Sequence, residues 1–174
     1  MKKIEAYKII TEIENAGKGD IVIFENIKIT GKIDLNYKKK YECDIYFRNC
    51  EIESLDIPSI DFIGIVEIGN SVIHEINTIF TYFEKGLYIY NSVFHSELSF
   101  EAGAHNLEPI ILLKNTFNKF VSFTDAWFKE RAVIACNTFN GGTNLFGKEE
   151  NLSPFFEKGI IAFDNTGDMK VNLW

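Results

Sequence analysis

The chain has 174 residues, of which 46% are hydrophobic and 25% are charged, and its formal net charge is −7. This length and composition fit one folded domain with an ordinary core, which excludes a disordered tail and a multidomain enzyme. Three cysteines cannot all pair, the charged start lacks the apolar core of a secretory signal, and no aliphatic run approaches the roughly 18 residues that cross a bilayer. We therefore expect a cytoplasmic protein with no membrane segment.

The first predicted element is a helix over residues 3–16. Five apolar residues lie there at helical spacing, and Gly17 can end the helix: Ile4, Ala6, Tyr7, Ile10 and Ile13. We expect residues 1–17 to form an N-terminal helical cap, residues 18–166 to form the body of the domain, and residues 167–174 to form a C-terminal cap that ends in Trp174.

The body contains a repeat of about 22 residues. Seven short segments align on asparagines at Asn26, Asn49, Asn70, Asn91, Asn115, Asn137 and Asn165. The residues two and four positions before each asparagine are all apolar, which is the alternation of a strand with one buried face. Because this spacing leaves no room for crossover helices, the repeat predicts a parallel β-helix, a solenoid of about seven coils, with the asparagines at one corner.

A second period indicates the cross-section of the coil. Apolar residues recur every five positions in two series, one at Phe47, Ile52, Ile57 and Phe62, the other at Ile45, Cys50, Leu55 and Ile60. Five residues on each of four sides give a square coil of about 20 residues. The stretches 102–109 and 147–154 are the predicted loops.

The segment FRNCEIESLDIPSIDF, at positions 47–62, resembles the pentapeptide repeat family. The resemblance covers about residues 18–166 and implies a right-handed quadrilateral parallel β-helix. Ile45, Leu55 and Ile60 are larger than the small residue that the family usually carries at that position, so the coils are expected to be less regular than the family's.

No catalytic signature is present in the sequence, which lacks a glycine-rich phosphate loop, a nucleophile elbow and a zinc-binding helix motif. We therefore expect no enzymatic activity and no cofactor. His74 and His95 each follow an aligned asparagine by four residues, so they should stack on adjacent coils. Even with His105 they fall short of the four ligands of a structural zinc site, and no metal site is expected.

The charge is concentrated in the middle of the chain. Residues 41–110 hold 2 basic and 12 acidic side chains. Glu53, Glu75 and Glu97 should form an approximate column, and the candidate acidic binding face comprises Glu53, Glu75, Glu97, Glu67, Asp56 and Asp61. Such a field repels phosphates and attracts basic surfaces, so direct nucleic-acid binding is not expected.

A second candidate surface is a column of outward residues, each lying between the two buried residues of its strand. The alignment predicts these residues to be Ile23, Tyr46, Glu67, Tyr88, Leu112, Ile134 and Ala162, and the candidate binding residues among them are Tyr46, Tyr88, Leu112 and Ile134. Exposed apolar patches of this kind mark protein interfaces, unless loops or the N-terminal helix cover them.

These surfaces support two hypotheses. The first is a non-enzymatic module that docks a protein partner or a second copy of itself on a flat wall. The second follows from the family resemblance: an acidic mimic of DNA that inhibits or protects a DNA-handling enzyme, such as a topoisomerase or a restriction or defence nuclease. The sequence does not identify the partner.

Overall fold

The computed structural model describes residues 1–147 and 152–171. Within them the chain is an all-β parallel solenoid with one short helix, α1 (Ala6–Asn15), which confirms the predicted fold class. The strands, in chain order, are β1 Lys2–Glu5, β2 Ile21–Glu25, β3 Ile27–Asp34, β4 Lys40–Tyr41, β5 Asp44–Arg48, β6 Glu51–Asp56, β7 Asp61–Phe62, β8 Val66–Gly69, β9 Val72–Asn77, β10 Tyr82–Phe83, β11 Leu87–Tyr90, β12 Val93–Phe94, β13 Leu98–Ser99, β14 Ile110–Leu113, β15 Thr116–Phe117, β16 Val121–Ser122, β17 Trp127–Phe128, β18 Ala132–Ala135, β19 Thr138–Phe139, β20 Phe155–Phe156, β21 Ile160–Phe163 and β22 Thr166–Gly167.

Each coil passes through four faces, and strands of successive coils pair in parallel on the same face. Face A holds β1-β3-β6-β9-β12-β15-β19-β22, and face B holds β2-β5-β8-β11-β14-β18-β21. Face C holds β4-β7-β10 and β17-β20, and face D holds β13-β16. The seven strands on face B match the expected number of coils.

The interior follows the five-residue period. All eight residues of the two predicted series, from Ile45 to Phe62, are buried. Phenylalanines of successive coils stack along the axis, with ring centroids 5.2 Å apart from Phe94 to Phe117 and again from Phe117 to Phe139. Each large side chain therefore packs against its counterpart one coil away.

The predicted asparagine corner is correct for four coils and wrong for three. Asn26, Asn49, Asn70 and Asn91 have positive φ, but in the later coils the residues in this conformation are Lys114, Cys136 and Asp164. The turn therefore occurs one residue before Asn115, Asn137 and Asn165. A slip of one residue reverses which side chains of a strand point inward.

The three shifted asparagines form part of a polar ladder, which is buried except at Asn165. Ser71, Ser92, Asn115, Asn137 and Asn165 each accept, on a side-chain oxygen, a hydrogen bond from the backbone N–H of the equivalent residue one coil earlier, over 2.9–3.1 Å. Asn115 and Asn137 also donate to the carbonyl oxygens of Ile89 and Leu112. The ladder satisfies backbone groups at a corner where the strands have ended.

The predicted N-terminal helix is present, but it is shorter than expected. Residues 2–5 form β1, which pairs with β3 on face A, whereas the sequence predicted a helix from residue 3. Helix α1 then covers the end of the core with Ala6, Ile9 and Ile13. It is much shorter than a membrane span, and no helix among the described residues could cross a bilayer.

The expected loop at 102–109 contains no strand, only an isolated bridge at Ala104. Residues 148–151 of the other expected loop, and residues 172–174 of the expected C-terminal cap, lie outside the described residues.

Candidate protein-interaction surface

The outer surface of face B is formed by two columns of outward positions, two alternate positions of every strand; Gly69 has no side chain there, and Ala135 is covered although it lies outside the core cluster. The first column is Ile23, Tyr46, Glu67, Tyr88, Ile111, Val133 and Ile161, and the second is Glu25, Arg48, Gly69, Tyr90, Leu113, Ala135 and Phe163. Tyr46 and Tyr88 point outward as predicted.

Leu112 and Ile134 do not belong to this surface. Both are wholly buried in the core, at 0% exposure, so the expectation that they point outward is wrong. The cause is the one-residue shift of the corner, which pairs Ile89 with Leu112 and Leu112 with Ile134 along an inward row. The outward residues in these coils are their neighbours, Ile111 and Val133.

The end of the outer surface of face B nearest the C-terminus is apolar. Ile111, Leu113 and Val133 are half-buried there, while Ile161 and Phe163 are 43% and 50% exposed. Because these side chains come from three adjacent strands, they form one continuous patch rather than scattered residues.

The other end carries a satisfied ion pair. Arg48 donates to Glu67 from Nε over 2.6 Å and from Nη2 over 3.0 Å, and its guanidinium lies 4.7 Å from the ring centre of Tyr46. The Tyr90 hydroxyl donates to the same carboxylate over 2.8 Å. Burial alone would raise the pKa of Glu67, but the hydrogen bonds from Arg48 and Tyr90 outweigh it and hold the pKa below its ordinary value of 4.5.

Gly69 makes room for this network. A Cβ atom at this position would lie 2.3 Å from Cζ of Tyr90, well inside contact distance. The absence of a side chain therefore lets the Tyr90 ring lie across the strand and bring its hydroxyl to Glu67.

The six residues of the predicted acidic face do not form one surface. Glu67 lies on face B and Asp61 on face C. Asp56, on face A, pairs with Lys32 over 2.5 Å and accepts from Asn77 over 2.8 Å, so much of its charge is compensated.

The expected column of Glu53, Glu75 and Glu97 is instead a diagonal. Ser54 is the partner of Glu75 in the register of β6 and β9, so Glu75 lies one step along the strand from Glu53. All three glutamates are exposed, and the Glu53 carboxylate accepts a hydrogen bond from the Gly31 N–H over 2.8 Å. A diagonal line of carboxylates spreads the charge across the face instead of concentrating it along the axis.

The predicted stacking of the histidines is confirmed. The rings of His74 and His95 lie 5.3 Å apart and nearly parallel, with Glu51 3.2 Å from one ring and Asn118 3.1 Å from the other. No group of three or more His, Cys, Asp or Glu side chains within the described part of the chain is arranged to hold a metal ion.

Two features escaped the sequence analysis. On face C, the His105 ring stacks 4.1 Å from Tyr82 and meets the edge of Trp127 at 5.2 Å. On face A, a groove of about 220 Å³ is lined by Lys32, Asp56, Glu75 and Asn77, among others. Tyr82, His105 and Trp127 follow one another at intervals of 23 and 22 residues, close to the repeat length, so the spacing was a signal that could have found this row. The groove forms where β3, β6 and β9 are longer than later strands.

Comparison with known proteins does not place the chain in a family: no family model, no curated protein and no solved structure matches it. The structure is consistent with the pentapeptide-repeat type of fold, since it stacks parallel coils in the way that the resemblance implies.

Proposed function

We propose that this chain is a non-enzymatic protein-interaction module of the pentapeptide-repeat type, and that it docks a protein partner on the outer surface of face B. The observation that carries the proposal is the apolar patch formed by Ile111, Leu113, Val133, Ile161 and Phe163, which the core does not need. An outward sheet face that stays in water normally carries polar side chains.

The composition of the surface supports docking. Its fourteen positions include three tyrosines and one arginine, residue types enriched in interfaces, and no lysine, which interfaces avoid. Arg48 and Glu67 already bond each other, so covering them would leave no unpaired charge between these two side chains.

The proposal is tested with paired lysine variants. Ile111→Lys combined with Val133→Lys should abolish capture of the partner from host lysate, or shift sedimentation to the monomer if the partner is a second copy. The control is Thr116→Lys with Thr138→Lys, which places two lysines on the same coils but on face A. Equal binding by both double variants, with unchanged melting temperatures, would show that the outer surface of face B is not the interface.

An acidic mimic of DNA is the alternative proposal. Its support is the exposure of Glu53, Glu75 and Glu97 on three successive coils. Reversal of all three to lysine should then abolish binding, and the wild-type affinity should fall steeply as salt rises above physiological strength, where the screening length is about 8 Å. A complex held by the apolar patch should tolerate both changes, because apolar burial is not screened.

A further inference from the structure

Strand β2 is the first strand of the seven-stranded sheet and has a strand on one side only. Backbone hydrogen bonds alternate in direction along the strands of this face: Asn26 donates to Arg48, toward the next coil, whereas Asp44 donates back to Asp20. The N–H and C=O groups of Ile21, Ile23 and Glu25 therefore point away from β5. None of the described residues bonds them on that side.

The neighbouring edge on face A, unlike that of β2, is protected against the addition of a further strand. There β1 is the outermost strand, and three of its four residues, Lys2, Lys3 and Glu5, are charged and exposed. Charged edge residues, lysine above all, discourage a further strand from pairing. The edge of β2 has no lysine or proline, and its outward Ile21 and Ile23 are 60% and 49% exposed.

The space beside β2 suits a single strand. Helix α1 closes the core at this level, with Ile9 and Ile13 buried, and it packs mainly against β3 and β1. A complete coil of a second copy would collide with α1. One extended segment beside β2 would sit on face B as β1 sits on face A.

We propose that the free edge of β2 binds an extended segment of a partner protein by β-strand addition. The segment would exchange hydrogen bonds with Ile21, Ile23 and Glu25 and place apolar side chains beside the two isoleucines. Backbone pairing gives such complexes their affinity, and alternate side chains give specificity. This site is separate from the apolar patch, which lies at the other end of face B.

A peptide of residues 19–26 with a C-terminal lysine tail is the probe, because this sequence already pairs within the same sheet. It should bind the wild-type chain in fluorescence anisotropy and slow amide hydrogen exchange at Ile21, Ile23 and Glu25. Ile23→Pro should weaken binding at least tenfold, since it removes a free N–H and no bond to β5, a position where an edge strand tolerates proline. Ile23→Val, which keeps the N–H and an apolar side chain, is the matched control.

Ile23→Lys provides a second test, since it keeps the backbone intact but imitates the charged edge of β1; it should also weaken binding. Failure of the wild type to bind the probe, or binding by Ile23→Pro and Ile23→Lys that is as tight as that of the wild type, would overturn the proposal. Self-association that Ile23→Pro abolishes would assign the edge to a second copy and overturn the partner segment. The lysine pair Ile111→Lys and Val133→Lys should leave probe binding unchanged, which separates this site from the proposed docking patch.

Discussion

Asn137 holds Asn115 with a single oxygen. Its Oδ1 accepts both the backbone N–H of Asn115, over 2.9 Å, and the side-chain Nδ2, over 3.0 Å. Both residues are buried, and Asn137 makes the same pair of contacts to Asn165 in the next coil. The polar ladder therefore replaces strand pairing at this corner.

Replacing Asn137 with leucine should lower the free energy of unfolding by about 3 kcal/mol, because buried groups of Asn115 and the Leu112 carbonyl lose their partner. Urea denaturation measures the change. Asn140→Leu is the control, since the exposed Asn140 side chain bonds only to Asn118 among the described residues. Equal losses in the two variants would contradict a special role for the ladder.

Because the corner is shifted by one residue, lysine substitutions at the adjacent positions Ile111 and Leu112 should have opposite effects on stability. Leu112→Lys should unfold the chain or cost more than about 4 kcal/mol, because the ammonium would enter the core without a partner. Ile111→Lys should change stability by less than about 1 kcal/mol, because its side chain points outward. Thermal unfolding followed by circular dichroism distinguishes them, and a reversed order would restore the register expected from the asparagine alignment.

The axial stack of rings should carry a large share of core stability. Phe117 is wholly buried between Phe94 and Phe139, so Phe117→Ala should cost about 3–5 kcal/mol. Thr116→Ala, one residue away and partly exposed, should cost far less. A loss below 1 kcal/mol for the phenylalanine would mean that the coils collapse around the cavity.

Glu67 makes stability depend on pH in the acid range. Its pKa is lowered in the folded chain, so its contribution is fully present above the ordinary value of 4.5 and is lost as the pH falls below that value and through the folded pKa. Glu67→Gln should therefore be less stable than the wild type at pH 7, and the difference should shrink as the pH falls toward 3. A constant difference between the two urea midpoints across that range would show that ionisation of Glu67 does not matter.

The solenoid could be predicted from the sequence because the same apolar pattern is repeated in every coil. The apolar pairs around Phe47 and Ile89 recur at a nearly constant interval, and any single misread strand leaves the pattern intact. The strand register of the later coils could not be predicted in the same way. Asparagine has two roles in this chain. Asn91 itself adopts the left-handed conformation of the turn, whereas Asn115 follows the turn residue Lys114 and its buried side chain hydrogen-bonds backbone groups.

The same ambiguity affected the prediction of the candidate site. Tyr46 and Tyr88 were correctly placed because their coils keep the first alignment, while Leu112 and Ile134 were placed one position away from the true outward residues. The bonds among Arg48, Glu67 and Tyr90 cross from coil to coil, so they depend on a register that local sequence does not specify. The same holds for the diagonal of Glu53 and Glu75.

The end of the solenoid that helix α1 covers is synthesised before the other end. Helix α1 and β1 leave the ribosome before the coils, and each later coil pairs with the one that emerged about 22 residues earlier. Nearest-neighbour architectures of this kind grow by adding units to a folded template. The nascent chain therefore needs no distant segment to begin folding, and its growing edge is occupied by the next coil as soon as that coil emerges.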